Sequence, residues 1–209
     1  MKKELVIAAY DRDYGWKQYI NEDVKITVYN KNQNTLKEGE ILLTPNVGRD
    51  VHTFFNHIIE NYDNLSDYTF FSQDEPFDHV NNIIALVNGK PEYWRKWALI
   101  KEDGYWCFNT LYTQILECDR HGRPQHVFEP DFNIDPIWEQ LFDEPTPEIY
   151  EFVASGHFLI TKEKVQKRPI EFYKKVRTIL EQQENSPWII ERLENYIFNN
   201  NYKVKIWVN

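Results

Sequence analysis

Glycine is scarce in this chain of 209 residues. Seven glycines are present, whereas an average composition would give about fifteen. No two of them are spaced as a G-x-G-x-x-G dinucleotide loop requires, and the sequence has no Walker A loop. The sequence therefore excludes both of these glycine-rich phosphate-binding loops.

Cysteine and long apolar runs are also lacking. Cys107 and Cys118 are the two cysteines, without a C-x-x-C motif, which excludes a cysteine-rich zinc ribbon or a disulfide scaffold. We expect two reduced core thiols, with a single bridge as the alternative. No stretch approaches the ~18 apolar residues of a membrane span, and the polar N-terminus does not resemble a signal peptide. These features predict a soluble, cytoplasmic protein.

Positive charge is in deficit, with 24 Lys and Arg against 33 Asp and Glu, for a net charge of −9. Such a surface repels nucleic acids and anionic membranes, so neither is an expected partner. Apolar residues make up 42% of the chain, which is typical of a packed globule. Without a repeat or a linker, residues 1–209 are predicted to form a single domain.

Hydrophobic periodicity in the first 80 residues predicts alternating strands and helices. The predicted strands are residues 5–9, 25–29, 41–43 and 68–72, and the predicted helices are residues 16–20 and 51–62. Asp50 is the expected N-cap of the second helix. This order is typical of a doubly wound α/β sheet, which binds ligands at the carboxyl ends of its strands.

The second half is less regular. The predicted elements are helices at 80–87, 169–183 and 187–199 and strands at 158–160 and 204–208. Residues 88–147 contain most of the tryptophans and prolines. Such a segment is typical of a substrate-binding excursion, and an ordinary irregular subdomain is the alternative.

Carboxylates follow the strand at 68–72. Asp74, Asp78 and His79 stand where hard oxygen ligands could hold a divalent cation against a diphosphate. The logic is that of the D-x-D element of nucleotide-sugar transferases, with Ser72 in place of its first Asp. A helix cap or a solvated turn explains the same residues.

Three further groups could carry chemistry. In Asn46–Asp50 a glycine and an arginine precede a helix N-terminus, which favours anions; a capped turn is the alternative. The small residues of 154–156 would allow a sugar to approach a strand closely, or two strands to cross. Glu191 and Glu194 lie three apart on a predicted helix, as on many solvated faces.

Together these segments resemble a group of GT-A-like glycosyltransferases that includes the N-terminal domain of a large chlorella-virus protein of capsid-glycan synthesis. The similarity runs through residues 6–10, 45–54, 71–74 with 78–79, 155–158 and 191–193. The segment 46–54 is the most specific, and is also similar to one in rhamnan-synthesis proteins. The resemblance implies a GT-A-like fold, a central mixed sheet flanked by helices.

The resemblance also implies an activity and a set of roles. The enzyme would use Mn²⁺ or Mg²⁺ to transfer a hexose or deoxyhexose, of glucose or rhamnose type, from a UDP-sugar to a glycan or glycoprotein acceptor. The implied nucleotide-sugar contacts are Tyr10, Asp11, Asn46, Gly48, Arg49, Asp50, Ser155, Gly156 and His157. The implied metal ligands are Asp74, Asp78 and His79, and the implied catalytic base is Glu191, with Asp78 second.

Two other function classes stay open at this point. One is a non-catalytic carbohydrate-binding or assembly module on the same fold, and the other is a metal-dependent phosphodiester hydrolase. Under the glycosyltransferase hypothesis, Gly48→Val and Gly156→Val should impair donor binding more than folding.

Overall fold

Nine strands form among residues 1–110, 114–123 and 132–199, the part of the chain that the computed structural model describes. They are β1 (Lys3–Ala9), β2 (Val24–Asn30), β3 (Ile41–Leu42), β4 (Tyr68–Gln73), β5 (Ile100–Glu102), β6 (Tyr105–Cys107), β7 (Leu116–Asp119), β8 (Ile149–Phe152) and β9 (Phe158–Thr161).

Seven of these strands make the central sheet, in the order β3-β2-β1-β4-β9-β6-β5. The first four are parallel, while β9 runs antiparallel to both β4 and β6. Val6 of β1 is paired with Thr27 on one side and with Phe71 on the other. Strands β7 and β8 form a separate antiparallel pair. The result is an α/β fold with a mixed, mostly parallel sheet.

Helices cover both faces of this sheet. They are α1 (Arg49–Glu60), α2 (Ile83–Asn88), α3 (Pro91–Trp97), α4 (Asp135–Leu141), α5 (Lys162–Val165), α6 (Ile170–Gln182) and α7 (Ser186–Phe198). Because side chains alternate along a strand, Leu5 and Ile7 pack with α2 and α3. Val6 packs on the other face with α1, α6 and α7.

The long, strongly patterned elements agree with the sequence predictions, with end shifts of a few residues. The segment 16–20 forms a 3-10 turn, Gly15–Tyr19, and the strand predicted at 204–208 lies outside the described residues. The prediction that Asp50 caps α1 is wrong. Gly48 is the N-cap, in the left-handed region with φ 63°, and Asp50 lies in the first turn.

The described part of the segment 88–147 contributes strands and core residues to the fold. It supplies β5 and β6 to the central sheet and β7 to the small one. Three of its tryptophans, Trp94, Trp106 and Trp138, are buried, and Trp97 is exposed. The described part therefore supports the subdomain alternative, and these buried rings are packing residues.

Both cysteines, Cys107 and Cys118, are buried thiols that are not joined by a disulfide, as predicted. Burial raises the pKa of the Cys107 thiol, and the charge of Glu194 adds to the increase. Within the described ranges, no helix has the length and apolar character needed to cross a membrane.

Candidate functional site

A cavity of about 270 Å³ opens at the carboxyl ends of β1, β2 and β4. The chain leaves β1 toward β2 and β3 and later returns to β4 on the opposite side of β1. The cavity therefore lies at a topological switch point, where open α/β sheets bind ligands. Its size is near the lower end of small-molecule sites, which begin at roughly 300 Å³.

Asp74 organises the loop that follows β1. Its Oδ2 accepts hydrogen bonds from the backbone N–H of Tyr10 (3.0 Å) and of Arg12 (3.3 Å). Its Oδ1 accepts from the N–H of Glu75 at 3.0 Å, and the Trp16 indole donates to its carbonyl at 2.7 Å. A single buried carboxylate thus fixes where Tyr10, which lines the cavity, leaves the sheet.

We expect Asp74→Ala to lower the free energy of unfolding by about 2 kcal/mol, because three backbone donors lose a charged acceptor. Urea denaturation at 25 °C measures this change. The surface variant Asp11→Ala is the control, because Asp11 is exposed and its carboxylate pairs at 3.9 Å with its neighbour Arg12. Equal stability of the two variants would contradict a structural role for Asp74.

The turn before α1 forms a second wall of the cavity. Gly48 and Arg49 are both left-handed, with φ of 63° and 52°. A non-glycine residue in this region stores strain, which is common at functional sites. The Lys31 ammonium holds the turn by donating to the carbonyls of Val47 (2.6 Å) and Arg49. The Arg49 guanidinium lies 3.8 Å from the centroid of the Trp188 ring.

Asp50, in the first turn of α1, connects the cavity to the second half of the chain. Its Oδ2 accepts a hydrogen bond of 2.7 Å from Nε2 of Gln73, the last residue of β4. Gly156 lies against this pair, since a Cβ at Gly156 would be 3.1 Å from Asp50 Oδ2. Gly156 has φ 57°, so glycine meets both the backbone and the space requirement there.

Glu191 of α7 lies in the same electrostatic environment. Burial raises its pKa to about 7, and the negative charge of Asp50 adds to the increase. The guanidinium groups of Arg192 and Arg49 and the backbone N–H of Ser155 act in the opposite direction. A carboxyl group with a pKa near neutrality is suited to general acid–base catalysis.

Glu194 lies one turn further along α7 and is buried. Burial raises its pKa well above the usual range, and the charges of Glu191 and Asp50 add to this. Burial therefore favours the neutral form of Glu194 beside Glu191.

The structure thus brings most of the predicted site residues into one region. Tyr10, Asn46, Arg49, Asp50 and Asp74 line the cavity. Ser155, Gly156 and Glu191 join this group through Asp50 and the Ser155 amide. Gly48 instead packs behind the turn, close to His52 and Leu180.

Four predicted residues lie outside this group. Asp11 and Asp78 are exposed, and Asp78 pairs at 3.9 Å with its neighbour His79. The His79 ring lies 6.0 Å from the ring of His157. His157 is fully buried, and burial lowers its pKa to about 3, with the His79 charge acting in the same direction. His157 is therefore a neutral interior side chain.

The predicted metal ligands do not fit a divalent cation. The Asp74 carboxylate is already engaged by three backbone amides, and Asp78 is turned to solvent, with 69% of its side chain exposed. Across the described ranges, no three His, Cys, Asp or Glu side chains are placed to hold a metal ion together. We therefore assign no step to a metal, and the Mn²⁺ or Mg²⁺ requirement stays a prediction.

Five cavity residues were not among the predicted contacts, namely Ala8, Ala9, Lys31, Thr53 and Gln73. Lys31 directly follows β2 and Gln73 ends β4, so the rule that ligands bind at strand ends points to both. Thr53 is one helical turn after Asp50, and nothing in the sequence distinguishes it.

Among comparisons of the chain with known proteins, one gives a match, and it is to a protein family. Neither the curated proteins nor the solved structures contain a match to the chain. Residues 5–205 match the family described as Protein of unknown function (DUF3431). Because this match spans most of the chain, the protein belongs to the DUF3431 family.

Proposed function

We propose that this protein is a glycosyltransferase that moves a hexose or deoxyhexose, of glucose or rhamnose type, from a UDP-sugar to a hydroxyl group of a glycan or glycoprotein acceptor. The observation that carries the proposal is Glu191, a carboxyl group with a pKa of about 7 next to a switch-point cavity. The mixed sheet flanked by helices also agrees with the GT-A-like fold that the resemblance implies.

The cavity has the charges needed to hold a diphosphate leaving group. Lys31 and Arg49 line it, and the N-terminus of α1 has no side-chain cap. Cations and helix N-termini stabilise the negative charge that develops on a departing phosphate. Tyr10, 47% exposed at the mouth of the cavity, offers a ring for the nucleobase.

Glu191 supplies the base in this mechanism. As the acceptor oxygen bonds to the anomeric carbon, the bond from that carbon to the UDP oxygen breaks, and the acceptor proton passes to the Glu191 carboxylate. UDP leaves with the bonding electron pair, and Glu191 then releases its proton to water. Burial, and after it the charge of Asp50, raise the pKa of Glu191 to about 7, which gives it the proton affinity for this transfer.

Calorimetry with UDP, GDP and CMP, each with and without Mn²⁺, tests the binding step. We expect UDP to bind most tightly, and Arg49→Met to weaken UDP binding about tenfold, because a charge-assisted contact is lost. Arg95→Met is the matched control, since Arg95 is exposed on α3 and outside the cavity. Absence of UDP binding under both metal conditions would contradict the proposal.

The competing functions give different results in the same assay. A carbohydrate-binding or assembly module would bind glycan without releasing UDP from any UDP-sugar. A phosphodiester hydrolase would release UMP rather than UDP. Slow UDP release from a UDP-sugar therefore distinguishes glycosyl transfer from both.

A further inference from the structure

Lys31 is a buried cation with an incomplete set of partners. Only 8% of its surface is exposed, and two of the three N–H donors of its ammonium are used on the carbonyls of Val47 and Arg49. Among the described residues its Nζ forms no salt bridge, and the charge of Asp50 acts on it only from a distance. A buried ammonium without a carboxylate partner is costly unless an anion completes its environment.

The surroundings of Lys31 contain a second incomplete group. Thr53 is fully buried and lines the same cavity. Among the described residues its hydroxyl has no hydrogen-bond partner. A buried hydroxyl normally finds a partner, so its side chain and the third N–H of Lys31 are available to the same ligand.

The charge of Asp50 partly offsets that of Lys31, but neither Asp50 nor Asp74 forms a salt bridge with the ammonium. Asp74 is held by three backbone amides, and Asp50 by Gln73. The N-terminus of α1 begins at the strained turn that Lys31 holds. An ammonium, a hydroxyl and a helix N-terminus therefore lie around one cavity. Together they suit a phosphate, which carries several acceptor oxygens on one phosphorus atom.

We infer that Lys31 binds the phosphates of the ligand through its third N–H, and that it thereby couples phosphate binding to the Gly48–Arg49 turn. The inference rests on the proposed function, because it takes the UDP diphosphate as the ligand. It assigns Lys31 two simultaneous roles. The ammonium holds the turn in its left-handed conformation and presents a positive charge to the phosphates, so a change at one is transmitted to the other.

Calorimetry with three probes, UDP, uridine and inorganic pyrophosphate, tests the charge role. Lys31→Met should weaken UDP and pyrophosphate binding at least tenfold and leave uridine binding unchanged. Lys175→Met is the control, since Lys175 is exposed on α6 and carries the same charge; it should bind all three probes as the wild type does. Wild-type UDP affinity in Lys31→Met would overturn the inference and leave the proposed function standing.

Pyrophosphate binding distinguishes failure of the proposed function from failure of the inference. If the wild type binds pyrophosphate but not UDP, and Lys31→Met loses that binding, the inference holds and the proposed function fails. If the wild type binds UDP and uridine equally, the phosphates contribute nothing and the inference is overturned.

The coupling is measured on the wild-type chain, so it does not depend on the variant folding. Labelling the seven glycines with ¹⁵N gives a simple amide spectrum. Pyrophosphate should shift the Gly48 signal and leave that of Gly104, in the β5–β6 turn, unchanged. An unshifted Gly48 signal at saturating pyrophosphate would overturn the coupling.

Discussion

Glu191→Gln is expected to reduce UDP release from a UDP-sugar by about 100-fold or more, the usual effect of removing a general base. UDP binding should be retained, because Glu191 does not line the cavity. The base is active as a carboxylate and its pKa is about 7. The wild-type rate should therefore rise about tenfold per pH unit below pH 7 and level off above it. A coupled assay of UDP between pH 5 and pH 9 measures both effects.

Glu194→Gln is the matched control for this experiment. Glu194 is one turn away on the same helix, and burial, which raises its pKa well above the usual range, favours its neutral form. An amide in its place should leave the rate and its pH profile nearly unchanged. Full turnover in Glu191→Gln would remove Glu191 from the mechanism, and Asp78 would be the next carboxylate to test.

Unfolding does not explain the expected loss in Glu191→Gln. The folded-state pKa of Glu191 is raised above the unfolded value, so its ionisation destabilises the fold as the pH rises from about 4.5 to 7. Glutamine does not ionise, so the variant does not undergo this loss of stability. At pH 8 the variant should be more stable than the wild type, as thermal denaturation would show.

Gly48→Ala is expected to destabilise the fold by about 3 kcal/mol, the sum of a left-handed alanine and an overpacked contact. The new Cβ would lie 2.7 Å from the Cβ of His52 and 3.2 Å from the carbonyl oxygen of Leu180. Both neighbours belong to helices, so neither can move freely. Gly39→Ala is the control, because Gly39 also has positive φ but nothing lies within 4 Å; it should cost about 1 kcal/mol.

Gly156→Ala should behave differently from Gly48→Ala. Its Cβ would meet side-chain atoms, Asp50 Oδ2 at 3.1 Å and Gln73 Nε2 at 3.5 Å. These can shift, so the stability loss should be about 1–2 kcal/mol, while UDP release falls further because Asp50 is displaced. Urea denaturation beside the UDP assay separates the two effects. Equal stability losses at Gly48 and Gly156 would contradict this distinction.

This pair of glycines revises the sequence prediction that both serve donor binding more than folding. A glycine before a helix and a glycine before a strand look equivalent in sequence. What separates them is the neighbour of each missing Cβ, the α1 and α6 helices at Gly48 and two site side chains at Gly156. Such contacts join residues far apart in the chain, so local sequence does not contain them.

The fold was predictable where hydrophobic periodicity is long. Strands β1, β2 and β4 and helices α1, α6 and α7 have enough residues to show a period. Strands β5 to β8, three or four residues each, do not. The position of β9 between β4 and β6 could not be predicted from the sequence either, because strand order depends on pairing between residues far apart in the chain.

The candidate site was predictable to a similar degree. The strand-end rule located Tyr10 and Asp74, and the resemblance located Glu191. The positions of Asp78 and His79 were not predictable, because a polar turn after a strand has the same sequence pattern whether it faces a ligand or solvent. The strand-end rule also points to Lys31 after β2 but assigns it no role, and only the structure shows that its ammonium is buried.

The position of β9 and α7 in the chain has a consequence for protein synthesis. The walls of the cavity come from residues 8–74, which leave the ribosome before the second half of this sequence. Strand β9, which covers the edge of β4, and α7, which carries Glu191, are made more than eighty residues later. The residues that line the cavity are thus synthesised before the proposed base, and until β9 is made the edge of β4 lacks its neighbouring strand.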